Sequence, residues 1–274
     1  MKTLRLLFAC LILAFAPQSN ASAQSILVDT SANWQQWISA ILGGNCVEIE
    51  NVTFNSLPGS ASRFTSGQYL GLSEGIVLSS GFLDSSISNT PDHFLAGYLG
   101  NSSDSLIELY ATQELGYTGN ASSYDASRIE FDFTSPVNQT VAIRFVFASE
   151  EYPEFAPPNN SFFNDIFGFF VQEAGSNSIQ NIALVPGTNL PVTIGNINAI
   201  TNESFYLETA ATDSFAFDGY TIPMDATFQV SAGVTYHMII AIADIGDSAF
   251  DSAVFLEKAV NTNQSVLGTA YAGL

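Results

Sequence analysis

The sequence predicts an all-β protein, a β-sandwich of jelly-roll or lectin-like type with two short peripheral helices. Three observations carry that reading. Short runs rich in β-branched and aromatic residues recur along the chain, separated by Gly, Pro, Asn, Asp and Ser. Hydrophobic residues make up 47% of the 274, with 22 Phe, enough to fill a large core. Helical periodicity appears in only two segments, both short.

The first 23 residues set the compartment. Lys2 and Arg5 give a basic start, Leu6 to Phe15 an apolar run, and Ala21-Ser22-Ala23 a small-residue cleavage pattern, so residues 1–23 read as a signal peptide with the mature chain starting at Gln24. The apolar run is shorter than the ~20 residues that span a bilayer. Cys10 lies inside it rather than at the cleavage point, which argues against a lipid anchor. Residues 24–258 form the expected domain and 259–274 a short tail with little core-forming power.

The elements follow in chain order. Ser31 to Leu42 places Trp34, Trp37, Ile38, Ile41 and Leu42 at helical spacing, capped by Thr30 or Ser31 and stopped by Gly43-Gly44. Ser103 to Leu115 forms the second helix through Leu106, Ile107, Leu109, Tyr110 and Leu115, and its expected role is to cover a sheet end or edge. Strands are expected at Gly75–Ser80, Arg128–Phe133, Thr140–Ala148, Ile166–Val171, Asn181–Val185, Val192–Ile194, Ser204–Leu207, Thr227–Val230, Val234–Ala243 and Ser252–Glu257. Thr140–Ala148 is apolar on both faces and reads as central, with Arg144 projecting toward a carboxylate.

Charge narrows the function classes. The formal net charge is −20, and loss of Lys2 and Arg5 with the signal peptide takes it from −20 to −22. Such a surface repels nucleic acid and anionic membranes and attracts cations. Cys46 is the one cysteine of the mature chain and reads as a small buried apolar residue, so no intramolecular disulfide forms.

Seven of the 26 acids fall in two loops. Residues 149–165 hold Glu150, Glu151, Glu154 and Asp165; residues 244–251 hold Asp244, Asp247 and Asp251. Glu150 and Asp244 follow strands, and Asp165 and Asp251 precede them, so rigid backbone holds these four. Clustered like charges repel, and a hard divalent cation with six to eight oxygen ligands relieves that repulsion. The expected set is Glu150, Glu151, Asn164, Asp165, Asp244, Asp247 and Asp251, with Ca2+ favoured over zinc because there is no Cys/His cluster. The plainer alternative is a pair of solvated acidic turns, or carboxylates that cap amides and pair with Arg144 or Arg63.

Tyr152, Glu154, Phe155 and Asp218 are the candidates for contact with a bound partner, Asp218-Gly219 reading first as a turn. Phe162 and Phe163 either join that surface or plug the sandwich end. No catalytic residue is assigned. Gly71-Leu72-Ser73-Glu74-Gly75 has the spacing of a hydrolase nucleophile elbow, but a strand follows it where a helix is needed. His93 and His237 are the two histidines, and His237 sits within an apolar strand as a satisfied core or edge residue. A glycoside-hydrolysing pair among Glu150, Glu151 and Glu154 is the enzymatic alternative.

Several strings resemble a known family: 147–155 (FASEEYPEF), 164–170 (NDIFGFF), 218–221 (DGYT), 241–244 (AIAD) and 251–255 (DSAVF), with weaker similarity in 41–44, 52–54, 75–81, 124–126 and 129–133. Together, over about 33–257, they are similar to the choice-of-anchor L domain of bacterial surface proteins. The resemblance implies adhesion or association at the cell surface, and the loop aromatics Tyr152, Phe155, Phe162 and Phe163 point to a surface glycan or a protein as partner. No C-terminal anchor is evident after Lys258, so free secretion or assembly with a partner is expected. Self-association through strand edges, as a structural subunit, is the competing expectation.

Overall fold

A computed structural model describes residues 25–259 except 30–33, 43–46, 56–57, 92–94, 96, 98–99, 101, 115–120 and 160–162. The signal-peptide segment, Cys46, His93, Phe162 and residues 260–274 lie outside the described residues.

Among the described residues thirteen strands form two antiparallel sheets with two short α-helices, a sandwich rather than a barrel. In chain order the elements are β1 (Leu27–Asp29), α1 (Trp34–Leu42), β2 (Glu48–Asn55), β3 (Ala61–Thr65), β4 (Gly75–Ser79), α2 (Ser105–Glu114), β5 (Ser123–Thr134), β6 (Gln139–Ser149), β7 (Ile166–Glu173) and β8 (Ile179–Asn181). They continue with β9 (Tyr206–Glu208), β10 (Gly219–Thr221), β11 (Met224–Val230), β12 (Thr235–Ile245) and β13 (Ser252–Glu257). The larger sheet runs β1-β3-β4-β13-β6-β10-β9, with β11 also on β6; the smaller runs β2-β5-β12-β7-β8. The edge strands β1, β8 and β9 have three residues each, while β11 has seven and β2 eight.

Alternation builds the layers. Along β5, Ile129, Phe131 and Phe133 point into the space between the sheets, while Arg128, Glu130 and Asp132 face outward. Phe145, Phe147, Phe167, Phe169, Met238 and Ile240 fill the same space. A second cluster, including Phe64, Val77, Val146, Phe215, Phe217 and Phe255, covers part of the larger sheet's outer face. α2 covers part of the other outer face, seating Ile107 and Ala111 near Phe170, Ile239 and Ala241. It therefore lies on a sheet face, not at the expected end or edge. Asp104 caps it, its Oδ1 accepting from the amides of Leu106 (2.9 Å) and Ile107 (3.0 Å). Leu109, expected in its apolar stripe, is exposed.

These layers explain where the sequence reading of β6 fails. From Phe145 onward both faces are buried, but Ala142 and Arg144 are exposed because that half pairs with β11 under no covering layer. Arg144 meets the exposed Asp225 across the strands at 3.6 Å. Val192–Ile194 is not a strand: only isolated bridges form, Ile166 to Thr193 and Leu184 to Pro191. The strand expected at Asn181–Val185 is instead β8, three residues ending at Asn181. β1, β2, β3 and β10 were absent from the sequence reading.

Candidate functional site

Antiparallel pairing brings the acidic loops to one end of the sandwich. Ser149, the last residue of β6, faces Ser252 of β13 and Gly219 of β10, and Ala243 of β12 faces Ile166 of β7. Glu150, Asp165, Asp218, Asp244 and Asp251 therefore share that end. A register shift between Ile242 and Asp244 on β12 marks a bulge beside Asp244, a device that re-aims side chains. Hydroxyls tie the sheets together beneath the acids. Ser252 Oγ donates to Asp165 Oδ2 (2.6 Å), and Ser127 Oγ donates to the Ser79 carbonyl (2.6 Å).

The acids are buried rather than solvated. Glu150 and Asp251 are 3% exposed, and Glu151, Asp165 and Asp244 are 1% exposed. Some of their oxygens are satisfied: Asp165 Oδ1 accepts from the Ile245 amide (3.2 Å), Asp251 Oδ2 from Gly97 (2.7 Å) and Glu151 Oε2 from Asp165 (3.4 Å). Others are not. Both oxygens of Asp244, Oε1 of Glu150 and Oδ1 of Asp251 are buried without a geometrically formed hydrogen bond. The Ser80 hydroxyl is close enough to Asp244 to favour its ionised form, but it points to the Ser252 carbonyl (3.3 Å). The described cations Arg63, Arg128, Arg144 and Lys258 are all engaged elsewhere, with Glu74, Asp104, Glu130 and Asp225.

Burial without a counter-charge disfavours ionisation. Desolvation, then repulsion from Asp218, pushes Glu150 up to about 9. Desolvation, then repulsion from Asp165, raises Glu151 to about 10. Asp251 rises to about 6, chiefly through desolvation, with Asp125 adding repulsion. Asp165 and Asp244 approach within hydrogen-bonding reach of each other, and burial raises both. At neutral pH this end therefore either retains protons or needs a cation.

The residues fit a hard cation in donor type, with carboxylate oxygens throughout and no Cys or His among these five. Asp165 and Asp244 already touch, and Asp251 and Glu150 carry unsatisfied oxygens. As the side chains stand, no three His, Cys, Asp or Glu among the described residues form a group able to hold a metal ion. Seating an ion would require rotation of side chains.

The other expected ligands are placed differently. Asn164 Oδ1 accepts from the Gly195 amide (3.0 Å) and holds the 193–196 turn. Asp247 is half-buried, and its Oδ1 closes its own turn on the Ala249 amide (3.1 Å). Among the proposed contact residues, Tyr152 is a correction: its ring is fully buried against Tyr206, and its hydroxyl donates to the Ile197 carbonyl (2.5 Å). A core ring of this kind cannot stack on a partner. Phe155 is half-buried and packs on Phe163 (5.5 Å) and Phe250 (4.9 Å), joining the two loops. Glu154 is exposed and Asp218 half-buried.

The sequence reading missed Asp125, fully buried at φ 50° on β5, whose charge reaches Asp251. Its one signal was the weak family similarity at Tyr124-Asp125-Ala126. Of the carboxyl groups considered for glycoside hydrolysis, Glu150 and Glu151 are buried and Glu154 is exposed, and Ser73 Oγ donates to Glu257 (3.1 Å) with no strand leading into it. His237 is satisfied on the outer face of the smaller sheet, Nδ1 to Asp132 at 2.8 Å and Nε2 to Glu130 at 3.2 Å.

Among the described residues no helix is long and apolar enough to cross a membrane. No curated protein and no solved structure matches the chain. The family model of the choice-of-anchor L domain matches residues 26–260, a span that includes both acidic loops and every strand described above. The chain belongs to the choice-of-anchor L domain family and is a bacterial surface or secreted protein.

Proposed function

We propose that this protein is a non-enzymatic surface-association or matrix-association module whose acidic end binds Ca2+ and, so ordered, engages a glycan or protein partner. One observation carries the reading: five buried carboxylates from four segments share one end of the sandwich, four of their oxygens lack a donor, and no described cation reaches them. An isolated buried charge costs several kcal/mol, and a cation offsets that cost where no Arg or Lys is present. Asp165, Asp244, Asp251 and Glu150 are the ligands with oxygens to offer, with Glu151 and Asp125 behind them. The ion would supply positive charge that lets these carboxylates ionise together. The chain's own part is to hold them at strand ends, so that fixing them fixes the loops 149–165 and 246–251.

Phe155, Phe163 and Phe250 lie across those two loops and are the aromatic surface that a fixed loop pair would present. The test is calorimetric titration of chelator-stripped protein with Ca2+. Saturable binding, lost in Asp244→Asn, supports the reading. No heat of binding, or binding unchanged by that substitution, overturns it.

A further inference from the structure

Of the strands at the sheet borders, β11 is the one left unguarded. β1, β8 and β9 are three residues long, and β2 carries Glu48 and Glu50 beside a register shift against β5. Short length, charge and bulges are the devices that keep a sheet edge from pairing with another chain. β11 has seven residues, its register with β6 runs unbroken from Met224 to Val230, and it holds neither Lys nor Pro. Its one charge, Asp225, is compensated by Arg144 at 3.6 Å. Among the described residues β11 pairs with β6 alone, so its second side meets no strand.

The direction of its outward groups follows from the ladder. The Phe147 amide donates to Thr221 Oγ1 (3.0 Å), so the odd-numbered residues of β6 turn their backbone toward β10 and β11. The hydrogen-bonded pairs are then Phe145 with Met224, Ile143 with Ala226, Val141 with Phe228 and Gln139 with Val230. Asp225, Thr227 and Gln229 turn amide and carbonyl away from β6, and all of them are exposed. The opening has definite ends. The Ile222 amide donates to the Phe205 carbonyl (2.9 Å) at one, and the turn closed by the Val234 amide on the Ser231 carbonyl (3.2 Å) lies at the other. What fits between them is one short strand.

β11 is complementary to itself. Met224, Ala226 and Val230 are buried and Phe228 half-buried on its core face, while Asp225, Thr227 and Gln229 lie on the outer face. An antiparallel copy centred on Thr227 sets apolar against apolar and polar against polar: Phe228 opposite Ala226, Val230 opposite Met224, Gln229 opposite Asp225, and Thr227 opposite itself. The outward amides and carbonyls of 225, 227 and 229 then exchange hydrogen bonds with those of the second copy. The two Asp225 carboxylates stand ~14 Å apart along the strands, at ~3.4 Å per residue. No side-chain contact is given up, because Gln229 Nε2 stays on Thr140 Oγ1 (2.7 Å) and Asp225 on Arg144. The second copy leaves the edge by its own 231–234 turn where the Phe205 segment of the first begins.

We infer that two copies of this chain associate about a two-fold axis through Thr227, joining their larger sheets edge to edge through β11. The strand starts midway along β6 and runs away from the acidic end, so the contact rests on neither the cation nor its ligands. The formal charge of the chain, −20, opposes approach, and physiological salt screens that repulsion over ~8 Å without touching backbone hydrogen bonds. Association should therefore strengthen as salt rises, the reverse of an interface held by ion pairs.

Sedimentation velocity of the full mature chain from ~1 to ~300 μM, at low and high salt, tests this. The expected result is a shift from one chain to two, with deuterium uptake at the amides of 225, 227 and 229 slowing as the dimer fills. Thr227→Pro removes an outward amide where an edge strand tolerates proline, and Thr227→Lys sets two like charges opposite each other. Each should weaken association at least ~10-fold with the far-UV spectrum retained, and Thr227→Lys decides the matter where Thr227→Pro does not fold. Three results overturn the inference: a chain that stays single throughout, including one whose 225–229 amides are protected only by a strand of another protein; a dimer unaltered in the folded variant; or a dimer that leaves those amides exchanging freely.

Discussion

Withdrawing divalent cations and raising the pH should destabilise this protein, and the size of the effect can be worked from two residues. Glu150 has a folded-state value of about 9 against an ordinary 4.5, and Asp251 about 6 against 3.8. Each folded value is raised, so the folded state holds its proton more tightly than the unfolded chain does. Stability is complete below the unfolded values and falls as pH rises, until about 6 for Asp251 and about 9 for Glu150. At 1.36 kcal/mol per pH unit, each residue costs about 3 kcal/mol by pH 7. The two carboxylates repel each other, so their effects overlap, and a joint loss of about 3–6 kcal/mol is expected against a typical total of about 5–15. For a chain of this size that lowers the melting temperature on the order of 10 °C. Thermal melts in EDTA between about pH 4 and pH 8 measure it, and Ca2+ at about 100 times its Kd should restore about 2.7 kcal/mol at the alkaline end. A melting temperature that is flat or rises with pH in EDTA refutes the burial argument. A falling one that Ca2+ does not restore refutes the ion.

Asp244→Asn in EDTA at neutral pH should raise the melting temperature, because it removes a buried acid beside Asp165 that folding must otherwise protonate, and the same melt in Ca2+ should show a smaller shift than the unaltered protein. Gly81→Ala should destabilise by about 1–3 kcal/mol or more in denaturant unfolding, since the added Cβ would lie 1.7 Å from Asp251 Oδ2. Tyr152→Phe should cost about 1–3 kcal/mol by leaving the buried Ile197 carbonyl without its donor; a change within error would place that carbonyl in contact with water. Asp104→Ala should cost about 1 kcal/mol for the lost helix cap and more for the Arg128 pair at 2.9 Å, read as faster hydrogen exchange across α2.

Much of this was legible in the sequence because alternation reports burial directly. Phe131 and Phe133 against Glu130 and Asp132 place β5 on a half-covered sheet, and acids abutting strand ends predict a shared rim once neighbouring strands run antiparallel. What was not legible depends on contacts distant in the chain. Tyr152 reads as a loop aromatic, yet it is buried because Gly219 leaves room that a Cβ would fill at 2.8 Å and Ile197 supplies an acceptor. Asn164 reads as a ligand oxygen, yet a turn 31 residues away claims it. Asp125, Ala126 and Ser127 are buried in succession, so the alternation that would expose one of them is broken at a residue with positive φ. The ion pair of Lys258 with Glu74 joins side chains 184 residues apart, a pairing that no local pattern announces.

Two of the four borders of the two sheets are closed by segments of only three residues, a third joins the three-residue β9 to the seven-residue β11, and the fourth presents Glu48 and Glu50 to water. A neighbouring molecule seeking to extend either sheet would find a docking rail too brief to grip on two sides and negatively charged on another. Among the described strands β11 is therefore the rail left for pairing through the peptide backbone, and contact between copies elsewhere has to come through side chains.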